Sequence, residues 1–169
     1  MSMGGTLTAD KLRELLHYDP HAGVLTWLVN LGPGRPDIGD VAGSLSKDGY
    51  WVIGIYGRVY KAHRLAWLWM KGEWPPSDID HRNLNKSDNI WTNFRLATDS
   101  QNGANKHAPA HNTSGIKGVS WCKRSRKWLA RIMVNGKSIF LGYFECLAAA
   151  HFAVIIASDK AFGEFARAF

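Results

Sequence analysis

An Asp-His pair and two later asparagines are the residues of this chain whose types and spacing could do chemistry. Asp80 and His81 are followed by Asn93 and Asn102 in the pattern D-H-x11-N-x8-N. A carboxylate beside an imidazole can be a surface salt bridge or the beginning of a metal and acid-base site. Carboxylate and amide oxygens suit a hard divalent cation, and an imidazole can accept a proton near neutral pH. The spacing favours a chemical site over a chance pair.

The stretch from Ala62 to Lys106 resembles the HNH endonuclease motif, in the phage-borne and intron-homing variant that ends in asparagine in place of histidine. The upstream segment HRLAWLWMKGEWP is similar to the one that precedes the motif in this family. The resemblance implies a ββα-metal (His-Me finger) fold, in which two strands and a helix hold one divalent ion against the scissile phosphate. It also implies DNA cleavage that leaves 5′-phosphate and 3′-hydroxyl ends.

Phosphodiester hydrolysis needs a base for water, relief of charge on the phosphate and rigid placement of both. His81 is the expected general base, and Asp80 and Asn102 are the expected ligands of one Mg²⁺ or Mn²⁺ ion. Asn93 resembles the middle asparagine of the motif, which ties the loop together and orients the catalytic histidine. His63 and Arg64 form a His-Arg pair upstream of the motif, and these two residues could either pack in the core or contact a phosphate. The residues that could assist the site are therefore His63, Arg64 and Asn105.

The last third of the chain carries all of the excess positive charge. Residues 1–105 hold 11 Lys and Arg against 11 Asp and Glu, whereas residues 106–169 hold 10 against 3. A basic module beside a neutral one suggests a grip on a polyanion, and a solubilising surface is the alternative. The order G-V, K-W-x-A-R-I, L-G-x-F, Ala-rich helix in Ser114–Phe169 is similar to the DNA-binding domain of plant ethylene-response factors. That resemblance implies a three-stranded antiparallel sheet laid in the major groove of double-stranded DNA, with a helix behind it.

The resemblance also implies which side chains contact DNA. Ser120, Met133 and Ser138 depart from the Arg or Trp of the plant factors, so sequence preference does not transfer. A basic cluster in the hairpin between the first two strands of this sheet is expected to contact phosphates. It consists of Lys123, Arg124, Arg126 and Lys127. The residues at DNA-contacting positions or in this cluster are Lys117, Ser120, Lys123, Arg124, Arg126, Lys127, Arg131, Met133, Ser138 and Phe140.

The chain is expected to be an α+β protein, with the ββα nuclease core followed by the sheet-and-helix module. A helix is expected from Ala9 to about Tyr18, and Ala148, Ala149 and Ala153 of the last helix are expected to pack on the sheet. The expected division is residues 1–60, whose helix and strands could extend the nuclease domain, 61–106 with the motif, a linker at 107–114, and 115–169 for DNA binding.

The composition further limits the classes of protein to which the chain could belong. No run of about 18 apolar residues and no secretory signal is found, which predicts a cytoplasmic protein without a membrane partner. The resemblance to phage-borne nucleases implies that the protein is phage- or prophage-encoded. Cys122 and Cys146 lack the spacing of a zinc or disulfide framework. Two rival functions stay open, a non-catalytic DNA-binding regulator with a decayed nuclease motif and a scaffold part of a phage particle. Target sequence, strand preference and oligomeric state are not indicated.

Overall fold

The computed structural model describes residues 7–106, 108 and 112–166. The chain has the mixed α and β character that the sequence predicts, with small sheets and helices. It divides into two compact units, the first ending at Leu96 and the second beginning at Ala97. Part of the predicted linker at 107–114 lies outside the described residues, so that boundary stays a prediction. Among the described residues, no helix has the length and apolar character needed to cross a membrane.

The first unit combines two helices with short antiparallel strands. Its elements are α1 Ala9–Leu15, β1 Leu16–Asp19, β2 Val24–Trp27, β3 Ser44–Leu45, β4 Trp51–Ile55, β5 Arg58–Lys61, α2 Ala62–Lys71, β6 Asp78–His81, a 3₁₀ turn at Trp91–Asn93, and β7 Phe94–Ala97. β1 pairs with β2, β4 lies between β3 and β5, and β6 pairs with β7. Buried side chains from Leu7 to Phe94 share one hydrophobic core, so the N-terminal residues and the part of the motif up to Leu96 form one folded body.

The expected helix from Ala9 to Tyr18 is shorter than predicted. Thr8 caps it, accepting a bond from the Lys11 amide at 3.3 Å, but the chain becomes extended at Leu16. Leu16 and Tyr18 are completely buried and pair with Trp27 and Leu25 across the β1–β2 hairpin. Tertiary pairing therefore overrides the local helical pattern over the last three residues of the predicted helix.

The β1–β2 hairpin supports the loop that follows the Asp-His pair. The Tyr18 hydroxyl donates to the Asn89 carbonyl at 2.7 Å, and the Trp91 amide donates to the Pro20 carbonyl at 3.0 Å. Gly23 has a φ of +71° and lies against the backbone of Asn89 and Ile90, where a Cβ would overlap main-chain atoms. The N-terminal hairpin thus fixes the position of the motif loop.

The second unit contains α3 Asp99–Asn105, β8 Val119–Cys122, β9 Lys127–Val134, β10 Lys137–Phe144, α4 Leu147–Phe162 and a 3₁₀ turn at Gly163–Phe165. The three strands form an antiparallel sheet in the order β10, β9, β8. Asn135 and Gly136 both have positive φ and form the tight turn between β9 and β10, as an Asn-Gly pair favours. Thr98 and Gln101 form a capping box at the start of α3.

α4 covers one face of this sheet with a different stripe from the one predicted. Ala150, Val154 and Ser158 are buried at helical spacing, whereas Ala148 and Ala149 are exposed and Ala153 is half-buried. The prediction was wrong for Ala148 and Ala149 because an Ala-rich helix carries little amphipathic signal to identify its buried side. On the sheet side, Ala130 and Ile132 of β9 face this core.

We expect Gly23→Ala to destabilise the protein more than Gly49→Ala. Both glycines have positive φ, but a Cβ at position 49 meets open space, whereas one at position 23 overlaps backbone. The shared backbone strain costs about 1 kcal/mol, and the overlap adds a further cost of about 1–3 kcal/mol at Gly23. Urea denaturation of both variants measures the difference. Equal losses would show that the hairpin does not press on the motif loop.

Candidate active site

β6 carries the Asp-His pair into the interior of the first unit. Asp80 and His81 are 4% and 5% exposed, so both polar side chains are largely removed from water. Opposite them, β7 carries Arg95, which is equally buried. Its Nε and Nη2 atoms both lie 2.8 Å from Oδ2 of Asp80. The carboxylate is therefore charge-compensated within the protein, and sequence reasoning did not identify this partner.

Asn93 closes the loop that begins after His81. Its side-chain amide donates to the Asn83 side chain at 3.0 Å and to the Asp88 carbonyl at 2.9 Å, and its Oδ1 accepts from the Asn83 amide at 3.1 Å. Its carbonyl accepts from the amide of Arg82, next to the histidine. Asn93 thus joins both ends of the loop, which is an arrangement suited to the predicted role of orienting His81.

His81 lies in an environment that favours the neutral imidazole. Burial lowers its pKa, and the nearby charge of Lys61 acts in the same direction. A hydrogen-bonding interaction with Asn89 and the charges of Asp80 and Asp88 oppose this shift only in part. A neutral ring at physiological pH is the form that can accept a proton from water.

His63 packs directly against His81, with the two rings edge to face and their centroids 4.9 Å apart. It is 5% exposed, and among the described residues its Nδ1 has no hydrogen-bond partner. Burial, with smaller contributions from the charges of His81, Lys61 and Arg64, lowers the pKa of His63 to about 3. The Arg64 guanidinium lies 6.0 Å from the centre of the Trp74 ring. His63 is therefore a neutral, packed neighbour of His81.

Two predicted site residues lie in the second unit. Asn102 and Asn105 are both on α3, and Asn105 is buried. Because each unit is described by itself, the pairing of Asp80 with Asn102 stays a prediction. Over the part of the chain that the structure describes, no group of three or more His, Cys, Asp or Glu side chains could hold a metal. Among the carboxylates of the described residues, Asp80 is the buried one, and its hard oxygen fits an ion such as Mg²⁺ that keeps several waters and takes one or two carboxylates plus substrate phosphates.

The predicted DNA-contacting residues of the second unit are distributed over one sheet face and one turn. Cross-strand pairs place Ser138 beside Met133 and Phe140 beside Arg131, and these four side chains are exposed on the face away from α4. Ser120 is exposed on β8 of the same face, and Lys123, Arg124 and Arg126 are exposed around the β8–β9 turn.

Two of the predicted DNA contacts already have partners in the protein. Lys127 pairs with Glu145 at 2.9 Å in an exposed position. The Lys117 ammonium donates to the carbonyls of Ala104 at 2.6 Å and Lys106 at 2.9 Å at the end of α3. A cation at the carboxyl end of a helix satisfies its orphan carbonyls, so Lys117 has a structural role there.

We expect Arg95→Met to lower the free energy of unfolding by about 3–5 kcal/mol, because it leaves the buried Asp80 carboxylate without its counter-charge. Arg58→Met is the matched control, since Arg58 is exposed on β5, and it should change stability by less than about 0.5 kcal/mol. Adding Asp80→Asn to Arg95→Met should recover part of the loss. Urea denaturation measures all three, and parent-like stability of Arg95→Met would contradict the buried pair.

His63 should make the protein sensitive to acid. Its pKa is lowered in the folded state, so its contribution to stability is complete above about pH 6.5 and is lost as pH falls toward 3. Between pH 7 and pH 5 this amounts to about 2 kcal/mol. His63→Gln should therefore lose about that much less stability than the parent over this interval, whereas the exposed His21→Gln should follow the parent. An unchanged pH dependence in His63→Gln would show that His63 is not held neutral by burial.

Comparison with known proteins agrees with the motif. A family model described as HNH endonuclease matches residues 60–104. Protein 3.8 of Escherichia phage T7 is 36% identical over 86 residues, which cover 48% of this chain and 71% of that protein. A solved structure titled DNA binding and cleavage by the HNH homing endonuclease I-HmuI is similar with a TM-score of 0.42 and 25% identity, over 54% of this chain and about half (51%) of the other. The chain therefore belongs to the same family as phage T7 Protein 3.8, and its residues 60–104 match the HNH endonuclease model.

Proposed function

We propose that this protein is a metal-dependent DNA endonuclease that hydrolyses phosphodiester bonds with His81 as its general base. The observation that carries the proposal is the buried, neutral-favouring imidazole of His81 beside the charge-compensated carboxylate of Asp80. A nuclease base must be unprotonated, rigid and next to a group that can hold a cation. The family motif at residues 60–104 supports the reaction class.

Each residue of the first unit has a distinct part in this proposal. His81 takes a proton from the attacking water at a ring nitrogen, and His63 packs against its ring and limits its rotation. Asn93 holds the loop between β6 and β7 closed, so that the base keeps its direction. Asp80 and Asn102 are the residues that would hold one Mg²⁺ or Mn²⁺ ion. When bound, such an ion would supply charge relief to the phosphate and the leaving oxygen.

The second unit is proposed to grip double-stranded DNA. The exposed face of its sheet presents Arg131, Met133 and Phe140, and the adjacent turn presents Lys123 and Arg124. The resemblance to ethylene-response factors and the excess positive charge of residues 106–169 support this assignment. The turn cations would contact phosphates, so their contribution should weaken as salt rises.

A phage or prophage setting is part of the same proposal. The relative in phage T7 supports it, and a nuclease of this kind would act inside the infected cell, where its DNA substrate is found. The rival is a DNA-binding regulator whose motif has lost activity. Cleavage separates the two functions, because both require DNA binding.

We expect the purified chain to convert supercoiled plasmid to the nicked form in Mg²⁺ and to stop when EDTA is added. Removing the general base should lower the rate by about 10²- to 10⁴-fold, so His81→Ala should be nearly inactive. His21→Ala is the matched control and should cleave at the parent rate, since His21 is exposed in the β1–β2 turn. Gel analysis of timed reactions measures each rate. DNA binding without metal-dependent nicking would favour the regulator.

A further inference from the structure

Two lysines converge on one tyrosine ring beside the candidate base. The Lys61 Nζ atom lies 3.9 Å from the centre of the Tyr50 ring, and the Lys86 Nζ atom lies 4.9 Å from it. The two ammonium groups are therefore separated by no more than the sum of these distances. They come from different segments, Lys61 from the end of β5 and Lys86 from the loop that Asn93 closes. Their meeting at Tyr50 is a tertiary feature that the sequence does not indicate.

The cluster lies next to the two buried histidines. The Tyr50 ring is 5.4 Å from that of His63 and 6.3 Å from that of His81, measured between ring centres. Lys61 and Lys86 are themselves exposed. Positive charge is thus accessible to solvent at the side of His81 on which Tyr50 lies.

Within the described part of the chain, neither ammonium has a carboxylate at ion-pair distance. Lys86 Nζ donates to the Asp48 carbonyl at 3.2 Å, which fixes its direction while leaving its charge uncompensated. Burial raises the pKa of Tyr50, and the nearby charges of Asp78, Asp48 and Asp80 act in the same direction. Of these carboxylates, Asp80 already bonds Arg95. The alternative explanation is that the aliphatic parts of both lysines simply pack on an aromatic face. It does not account for two like charges held on the same ring, which an anion between them would stabilise.

We propose that Lys61 and Lys86, held on Tyr50, form a contact site for a phosphate of the DNA backbone adjacent to the phosphodiester that the water activated by His81 attacks. The proposal rests on the proposed nuclease function for its ligand. The flat ring restricts both long side chains before DNA arrives, which lowers the conformational entropy lost on binding. Contacts of this kind position the duplex without reading its sequence. In the first unit, Lys61 and Lys86 would supply positive charge for the DNA backbone that does not depend on the metal ion.

The test measures duplex DNA affinity in EDTA over a range of salt concentrations, so that it requires no cleavage. Each lost phosphate contact lowers the slope of log affinity against log salt by about 0.9. Lys61→Gln/Lys86→Gln should lower it by about 0.9 if one phosphate bridges both lysines and by about 1.8 if each binds its own. Lys61→Arg/Lys86→Arg keeps both charges and should restore the parent slope. Arg35→Gln removes one exposed charge from another loop and should leave the slope unchanged.

The salt dependence tests the phosphate site independently of whether the nuclease assignment is correct. A reduced slope in the glutamine variant, restored by arginine, supports the phosphate site whether or not the chain nicks plasmid. An unchanged slope in a glutamine variant with a parent-like circular dichroism spectrum would overturn the site even if cleavage is found. Equal effects of Arg35→Gln and Lys61→Gln would also overturn it, because they would reduce the result to net charge. A slope that arginine does not restore would show that packing, and not charge, is what was lost.

Discussion

The buried ion pair of Asp80 and Arg95 is the constraint on which the candidate site depends. Two charges removed from water are tolerated only when they compensate each other with good geometry, and here two guanidinium nitrogens meet one carboxylate oxygen. The pair fixes β6 against β7 at the position from which His81 projects. It also means that a divalent cation would bind a carboxylate whose Oδ2 already accepts from Arg95.

The surroundings of this pair explain how an imidazole can be both buried and correctly held. His63 fills the space beside His81 as a neutral ring, and Asn93 closes the loop with bonds to Asn83 and Asp88. The N-terminal hairpin contacts the same loop through Tyr18. Residues before the motif are therefore part of the body that supports the site, since they share its hydrophobic core. This accounts physically for why the part of the motif up to Leu96 is embedded in a larger folded unit.

Local signals in the sequence predicted much of the fold. The α2 helix with its left-handed Gly72 and the Asn135-Gly136 turn each follow from residue types at fixed short spacing. Long-range pairing could not be predicted in this way. Leu16 to Tyr18 extend because Leu25 and Trp27 lie opposite them, and α4 buries Ala150 and Val154 on a face that Ala-rich composition does not mark.

The same limit applies to the site. The spacing of Asp80, His81, Asn93 and Asn102 could be read directly, because a family motif is a local pattern. Arg95 could not be identified as the partner of Asp80, since the pairing depends on the register of two strands separated by a loop. Tyr50, Lys61 and Lys86 come from three segments and acquire meaning only when folding brings them together.

The central claim is that His81 and one divalent ion act on the same phosphate. A crystal structure of the protein with duplex DNA and Mn²⁺, in which anomalous scattering locates the ion, tests it most directly. The account predicts one manganese bound to Asp80 and Asn102 at a backbone phosphate, with the His81 ring facing the attacking water. A manganese bound elsewhere, with Asp80 still holding Arg95 and His81 turned away from the phosphate, would contradict it.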